Sequence, residues 1–172
     1  MKKLFVVLDM QNDFVTGPLG SEAAKAIVPR MVRKIQRRRR KGYDIAYVFD
    51  VSDGDTNCPS PSLKKGYELA PEIAATVRPS DYKIIKDAPH SPQLIAFLST
   101  KNYKAVELVG VLTDKCVHQT ARWLKYVLPY IDLTIDAACC AANTPEQHNA
   151  ALRRLKHSGL IHVTHFHEKS LR

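Results

Sequence analysis

Val109-Gly110-Val111-Leu112-Thr113-Asp114-Lys115-Cys116-Val117 closes an apolar run that starts at Ala105 and is broken only by Glu107 and Gly110. Such a run reads as a buried strand. Gly110 permits a tight bend, and Thr113 or Asp114 can cap a helix. From Val117 to Leu128, apolar residues recur at helical spacing. The pattern predicts Cys116 in the first turn of a helix, just past the carboxyl end of a strand. Unpaired backbone N–H groups and the helix dipole favour negative charge there, and so favour thiolate over thiol. The same N–H groups suit the oxyanion of a tetrahedral intermediate. The competing reading of Cys116 is a small core hydrophobe.

Working outward, apolar runs that end in a charged residue recur. Lys3 to Asp9, Tyr43 to Phe49 (followed by Asp50) and Tyr82 to Ile85 (followed by Lys86) read as strands, as do Tyr130 to Ile135 and Leu160 to Thr164. Helical patterns fall between them: Pro29 to Arg40 with Pro29 at the first position, a short turn near Tyr67 to Ala75, Pro92 to Thr100, and Pro145 to His157. Strands alternating with helices imply a parallel sheet covered on both faces. The fold expected is a single-domain, three-layer α/β/α arrangement spanning 1–172, with a mostly parallel Rossmann-like sheet. In open sheets of this kind ligands bind at the carboxyl ends of the strands, where Asp9, Asp50, Lys86 and Cys116 all fall. Lys86 beside Cys116 would lower the thiol pKa, and Asp9 could take the thiol proton and return it to a leaving amine. The alternative for Asp9 and Lys86 is a structural ion pair, a poor source of stability when buried.

The 172 residues suffice for one domain, and 45% hydrophobic with 25% charged residues is ordinary for a globular chain. Lys2 and Lys3 precede the apolar run Leu4 to Leu8, but Asp9 ends it too early for a signal peptide. No stretch is long enough to span a membrane. Four cysteines without disulfide or metal-ligand spacing suit a reducing compartment, so the expected location is cytoplasmic. Net charge is +9, densest at Arg37-Arg38-Arg39-Arg40-Lys41. With no interleaved aromatics this run reads as a solvated helix end rather than a nucleic-acid surface.

Asp9-Met10-Gln11-Asn12-Asp13-Phe14, Lys86 and Gly110-Val111-Leu112-Thr113-Asp114-Lys115-Cys116-Val117 together resemble the isochorismatase-like cysteine hydrolases, and within them the nicotinamidase-related branch. Asp136-Ala137-Ala138-Cys139-Cys140-Ala141 and Thr144-Pro145-Glu146-Gln147-His148 extend the resemblance over nearly the whole chain. It implies a six-stranded parallel sheet and a catalytic triad of Asp9, Lys86 and Cys116. It also implies a cis peptide between Val111 and Leu112, and an oxyanion hole from the N–H groups of Leu112 and Cys116. Phe14, Tyr67, His90 and Val111 are the expected substrate-binding residues, the substrate being a small amide. A homo-oligomer is suggested, with neither nucleic acid nor membrane as partner.

Nicotinamidases of this kind usually carry Asp-x-His after the second strand and a further histidine in the next loop, together binding a divalent metal. Here Asp50-Val51-Ser52 keeps only the aspartate, and the loop to Gly66 has no histidine. Asp50 alone cannot hold a metal, and Cys58 is a weak substitute, so no metal and no other cofactor is expected. Near Lys86 the family's aromatic-glycine-serine stretch becomes Pro89-His90-Ser91, a more polar wall. The leading expectation is a cysteine hydrolase splitting the C–N bond of a small amide through a Cys116 thioester. The alternatives are a metal-free N-carbamoyl or ureido amidase, and a non-catalytic binding or regulatory protein on the same fold.

Overall fold

The computed structural model describes residues 1–51 and 65–167. Six parallel strands are ordered β3-β2-β1-β4-β5-β6: β1 (Lys3–Leu8), β2 (Asp44–Asp50), β3 (Tyr82–Lys86), β4 (Ala105–Val111), β5 (Asp132–Ala141) and β6 (His162–Thr164). The helices are α1 (Asn12–Val15), α2 (Glu22–Arg40), α3 (Pro71–Ala74), α4 (Pro92–Lys101), α5 (His118–Val127) and α6 (Pro145–His157), with a π-helical turn at Thr113–Val117 ahead of α5. The expected architecture is present, and the sheet is parallel throughout. No helix among the described residues is long and apolar enough to cross a membrane.

The central strands are buried on both faces, which is why they read as continuous apolar runs. Leu4 to Leu8 are fully buried, as are Leu108, Val109 and Val111 of β4. Glu107 interrupts that run yet is also buried, and α2 supplies its partners. Lys34 Nζ lies 2.9 Å and Arg38 Nε 2.5 Å from its carboxylate.

Among the departures from the sequence reading, three bear on the elements around the site. α2 begins at Glu22, because the Ser21 hydroxyl accepts from the Ala24 N–H at 3.1 Å and caps it there. Pro29 therefore stands inside the helix, on its exposed face, where water can satisfy the carbonyl its ring leaves unpaired. β5 runs on to Ala141 through a register shift against Leu108 and Gly110, so Cys139 and Cys140 are buried strand residues. The turn carrying Cys116 is π-helical, closed by Val117 N–H donating to Leu112 O at 3.2 Å.

β1 and β4 approach closely where Leu8 pairs with Gly110. A Cβ on Gly110 would lie 2.1 Å from Leu8 O, and its φ of +133° is unsuited to an L side chain. Gly110→Ala is therefore expected to cost roughly 2–4 kcal/mol of stability, read from urea unfolding.

Candidate active site

Parallel register sets the site. Asp50 and Lys86 end neighbouring strands as register partners, and Leu8, the residue before Asp9, pairs with Gly110 at the top of β4. Asp9 adopts a left-handed φ of 55°, which a short polar side chain tolerates, and its N–H donates to Val48 O at 3.0 Å. Gln11 fixes the loop that follows. Its amide donates to the carbonyls of Asp50 and Tyr67, each at 2.9 Å, and accepts from Asp50 N–H at 2.8 Å. On the other side the Val111–Leu112 peptide is cis, and Thr113 Oγ1 lies 2.8 Å from His148 Nδ1, tying the Cys116 turn to α6. Burial lowers the His148 pKa, so this ring is neutral near pH 7.

Lys86 is the hub. Its side chain is wholly buried, with Nζ 2.5 Å from Asp50 Oδ2, 3.0 Å from Asp9 Oδ2, 3.2 Å from Ala88 O and 3.7 Å from Cys116 Sγ. Burial favours the neutral amine, but the charge of Asp9 and the bond to Asp50 outweigh it and raise the pKa, keeping Lys86 an ammonium. Asp9 moves the other way from an ordinary carboxylate. Burial pushes its pKa up to about 6, against the pull of Lys86 and the neighbouring Cys116 thiol.

The expectation for Cys116 is corrected here. Burial and the Asp9 carboxylate push its thiol up to about 12, and Lys86 offsets only part of this. One ammonium already faces two carboxylates, so a thiolate would add a second uncompensated negative charge in a buried place. Cys116 rests as a thiol beside Asp9, their polar atoms within 4.8 Å, and the proton moves only when an electrophile arrives.

Beside the thiol lies a cavity of about 400 Å³. Asp9, Phe14, Val111, Leu112 and Cys116 line it, as expected from the sequence. Sequence reasoning missed Pro18, Leu19, Gly20, Ser21, Lys115 and Asn143, which complete the wall. Lys115 adjoins the nucleophile in sequence, so the turn that presents Cys116 also brings it; nothing local marks Asn143. Among the described residues neither Tyr67 nor His90 lines this cavity. His90 stacks on Trp123 of α5 with ring centroids 5.0 Å apart, and Tyr67 contributes its carbonyl to Gln11. Cys58 lies outside the described residues.

The Asp9, Asp50 and Cys116 ligand atoms lie within 4.8 Å of one another. Lys86 Nζ stands among these atoms, so a divalent ion would meet an ammonium already in place. These residues do not fit a metal of the family kind.

The family model described as Isochorismatase domain matches residues 3–166. The chain belongs to the isochorismatase family. It is 29% identical over 174 residues to a probable inactive nicotinamidase of Arabidopsis thaliana, covering 90% of this chain and 88% of that protein. Among solved structures it resembles a nicotinamidase from Bacillus subtilis (24% identity, TM-score 0.81, 95% and 99% of the two chains). It also resembles an N-carbamoylsarcosine amidase from Thermoplasma acidophilum (24% identity, TM-score 0.77, 99% of each chain). At that identity the likeness is one of fold.

Lys86→Met leaves two buried carboxylates without their cation. It is expected to cost roughly 3–5 kcal/mol at pH 8 and less at pH 5, where the carboxylates can bind protons instead. Urea unfolding at the two pH values checks this. With the ammonium gone Asp9 rises further, so the pH profile of Cys116 alkylation by iodoacetamide should move to higher pH. An unmoved profile would break the link between Lys86 and Asp9.

Proposed function

We propose that this chain is a cysteine hydrolase that cleaves the C–N bond of a small amide. The observation that carries the reading is Lys86 Nζ held 3.0 Å from Asp9 and 3.7 Å from Cys116 Sγ, the latter two residues lining a cavity of small-molecule size. Asp9 takes the thiol proton as Sγ attacks the carbonyl carbon. The carbonyl electrons move onto oxygen, and the N–H groups of Leu112 and Cys116 are the donors for that oxyanion. The C–N bond breaks as Asp9 passes its proton to the departing amine or ammonia. Water then adds to the thioester carbon, giving a proton to Asp9. Collapse expels the thiolate, which recovers the proton and leaves the acid product. Lys86 balances the charge on Asp9 and on sulfur throughout, while Phe14 and Val111 present an apolar wall to the substrate.

Two further readings have observations behind them. A metal-free N-carbamoyl or ureido amidase is favoured by the engagement of Asp50 with Lys86 and by Lys115 and Asn143 in the cavity wall, which suit a polar substrate. A non-catalytic protein on the same fold is favoured by the name of the Arabidopsis relative, a probable inactive nicotinamidase.

The test is product release from nicotinamide, pyrazinamide, N-carbamoyl amino acids and ureido acids. Turnover of any of them, unchanged by chelators and lost in Cys116→Ala at unaltered thermal midpoint, supports the hydrolase; turnover retained in that variant excludes the thioester route. Because Asp9 acts as base only when ionised, kcat/KM should rise through a midpoint near pH 6, where Asp9 loses its proton. Silence across the panel, with Cys116 alkylation showing no such midpoint, favours the non-catalytic protein.

A further inference from the structure

Helix α2 sorts its cations into two layers. The inner layer is neutralised: Lys34 Nζ lies 2.5 Å from Asp136 Oδ2 and 2.9 Å from Glu107, and Arg38 pairs with Glu107. Arg39 forms a fork on Asp81 at 2.6 and 2.9 Å. Burial would raise the Asp136 pKa, but Lys34 and His165 more than offset it and hold the carboxyl below its ordinary range. Both buried acids are thus committed to the inner layer.

The outer layer is Arg30, Arg33, Arg37 and Arg40, spaced three, four and three residues apart, so all lie along one face of the helix. All are exposed, and among the described residues none forms an ion pair. Among the described residues Arg30 donates only to Ala138 O, at 3.3 Å. The four, with Lys34 and Gln36, line one side of a groove of about 800 Å³ whose other side is Asp136, Ala138, Cys139 and His165; the Asp136 carboxylate there is paired with Lys34 and His165. An ordinary solvated face alternates the sign of its charges; this one sets like charges against each other at every step, which opposes the helix. An anion in the groove would remove that repulsion.

We propose that this groove binds a small molecule carrying a run of several phosphate groups. Guanidinium forks match phosphate oxygens in pairs, with more geometric selectivity than ammonium groups. Ten residues of helix span about 15 Å, too long for a single phosphate and suited to several in line. The volume lies within the range of small-ligand sites. The site is separate from the Cys116 cavity and does not depend on the hydrolase reading.

The probe is inorganic tripolyphosphate, followed by calorimetry and by thermal midpoint, against sulfate at matched ionic strength and a single-stranded oligonucleotide. The comparison protein is Arg33→Gln/Arg37→Gln, which loses only exposed like charges and should fold at least as well as the parent. Supporting results are saturable 1:1 binding of tripolyphosphate, a rise in midpoint that sulfate does not match, and binding weakened about tenfold or more in the double variant at an unchanged rate of Cys116 alkylation. Nucleoside triphosphate and AMP complete the set. Equal binding of tripolyphosphate and triphosphate would show that the phosphate run is what is read, and preference for AMP over tripolyphosphate would overturn the proposal. An equal response to sulfate, no effect of the double variant, or tighter binding of the oligonucleotide would also overturn it, the last in favour of a nucleic-acid surface.

Discussion

A single buried ammonium shared by two carboxylates governs the carboxyl edge of this sheet. Lys86 could not remain charged in an apolar interior without Asp9 and Asp50, and neither carboxylate could be buried there without Lys86. The strand register makes the arrangement unavoidable. β2 and β3 end on paired residues, and β1, one strand further in, places Asp9 on the same ion. Because one positive charge serves two negative ones, the cluster carries one excess negative charge at rest. Burial, reinforced by that excess, keeps Asp9 only weakly acidic and Cys116 protonated. A base near pH 6 beside a protonated nucleophile is poised to move a proton during a reaction, whereas a preformed buried thiolate would have to be stabilised continuously.

Much of this was legible in the chain. Apolar runs that stop at a charged residue mark strands whose ends meet solvent or a ligand, so Asp9, Asp50, Lys86 and Cys116 could be assigned to one edge before any coordinate was known. The sign of the Cys116 shift was not legible. It depends on how two carboxylates and burial compare with one ammonium, and that comparison needs distances. The first turn of a regular helix was expected to favour thiolate; the turn is π-helical instead, and the thiol is largely enclosed.

The boundary errors share a cause. Pro29 is a strong local signal for a helix start, but the Ser21 cap and the inward apolar residues Ala24, Val28 and Met31 extend the helix past it. Ala137 to Ala141 has little of the bulk that marks a strand, and its place in β5 is set by pairing with β4 and by close packing of α2 on small side chains. The sequence reading placed His90 on the substrate, and the fold turns it elsewhere. Its neighbour Trp123 is 33 residues further along, and only the fold brings the two rings together.

Asp50 links the residues the chain keeps to those it lacks. In a site with two histidines beside it, this aspartate could share a divalent ion, and Lys86 would then answer to Asp9 and the nucleophile alone. Here the carboxylate turns to Lys86 at 2.5 Å. The two states exclude each other electrostatically, because an ion bound by Asp50 would stand close to the ammonium and be repelled by it. Restoring a histidine at Ser52 would not by itself restore a metal site, since the ion would still have to draw Asp50 away from a buried cation that depends on it.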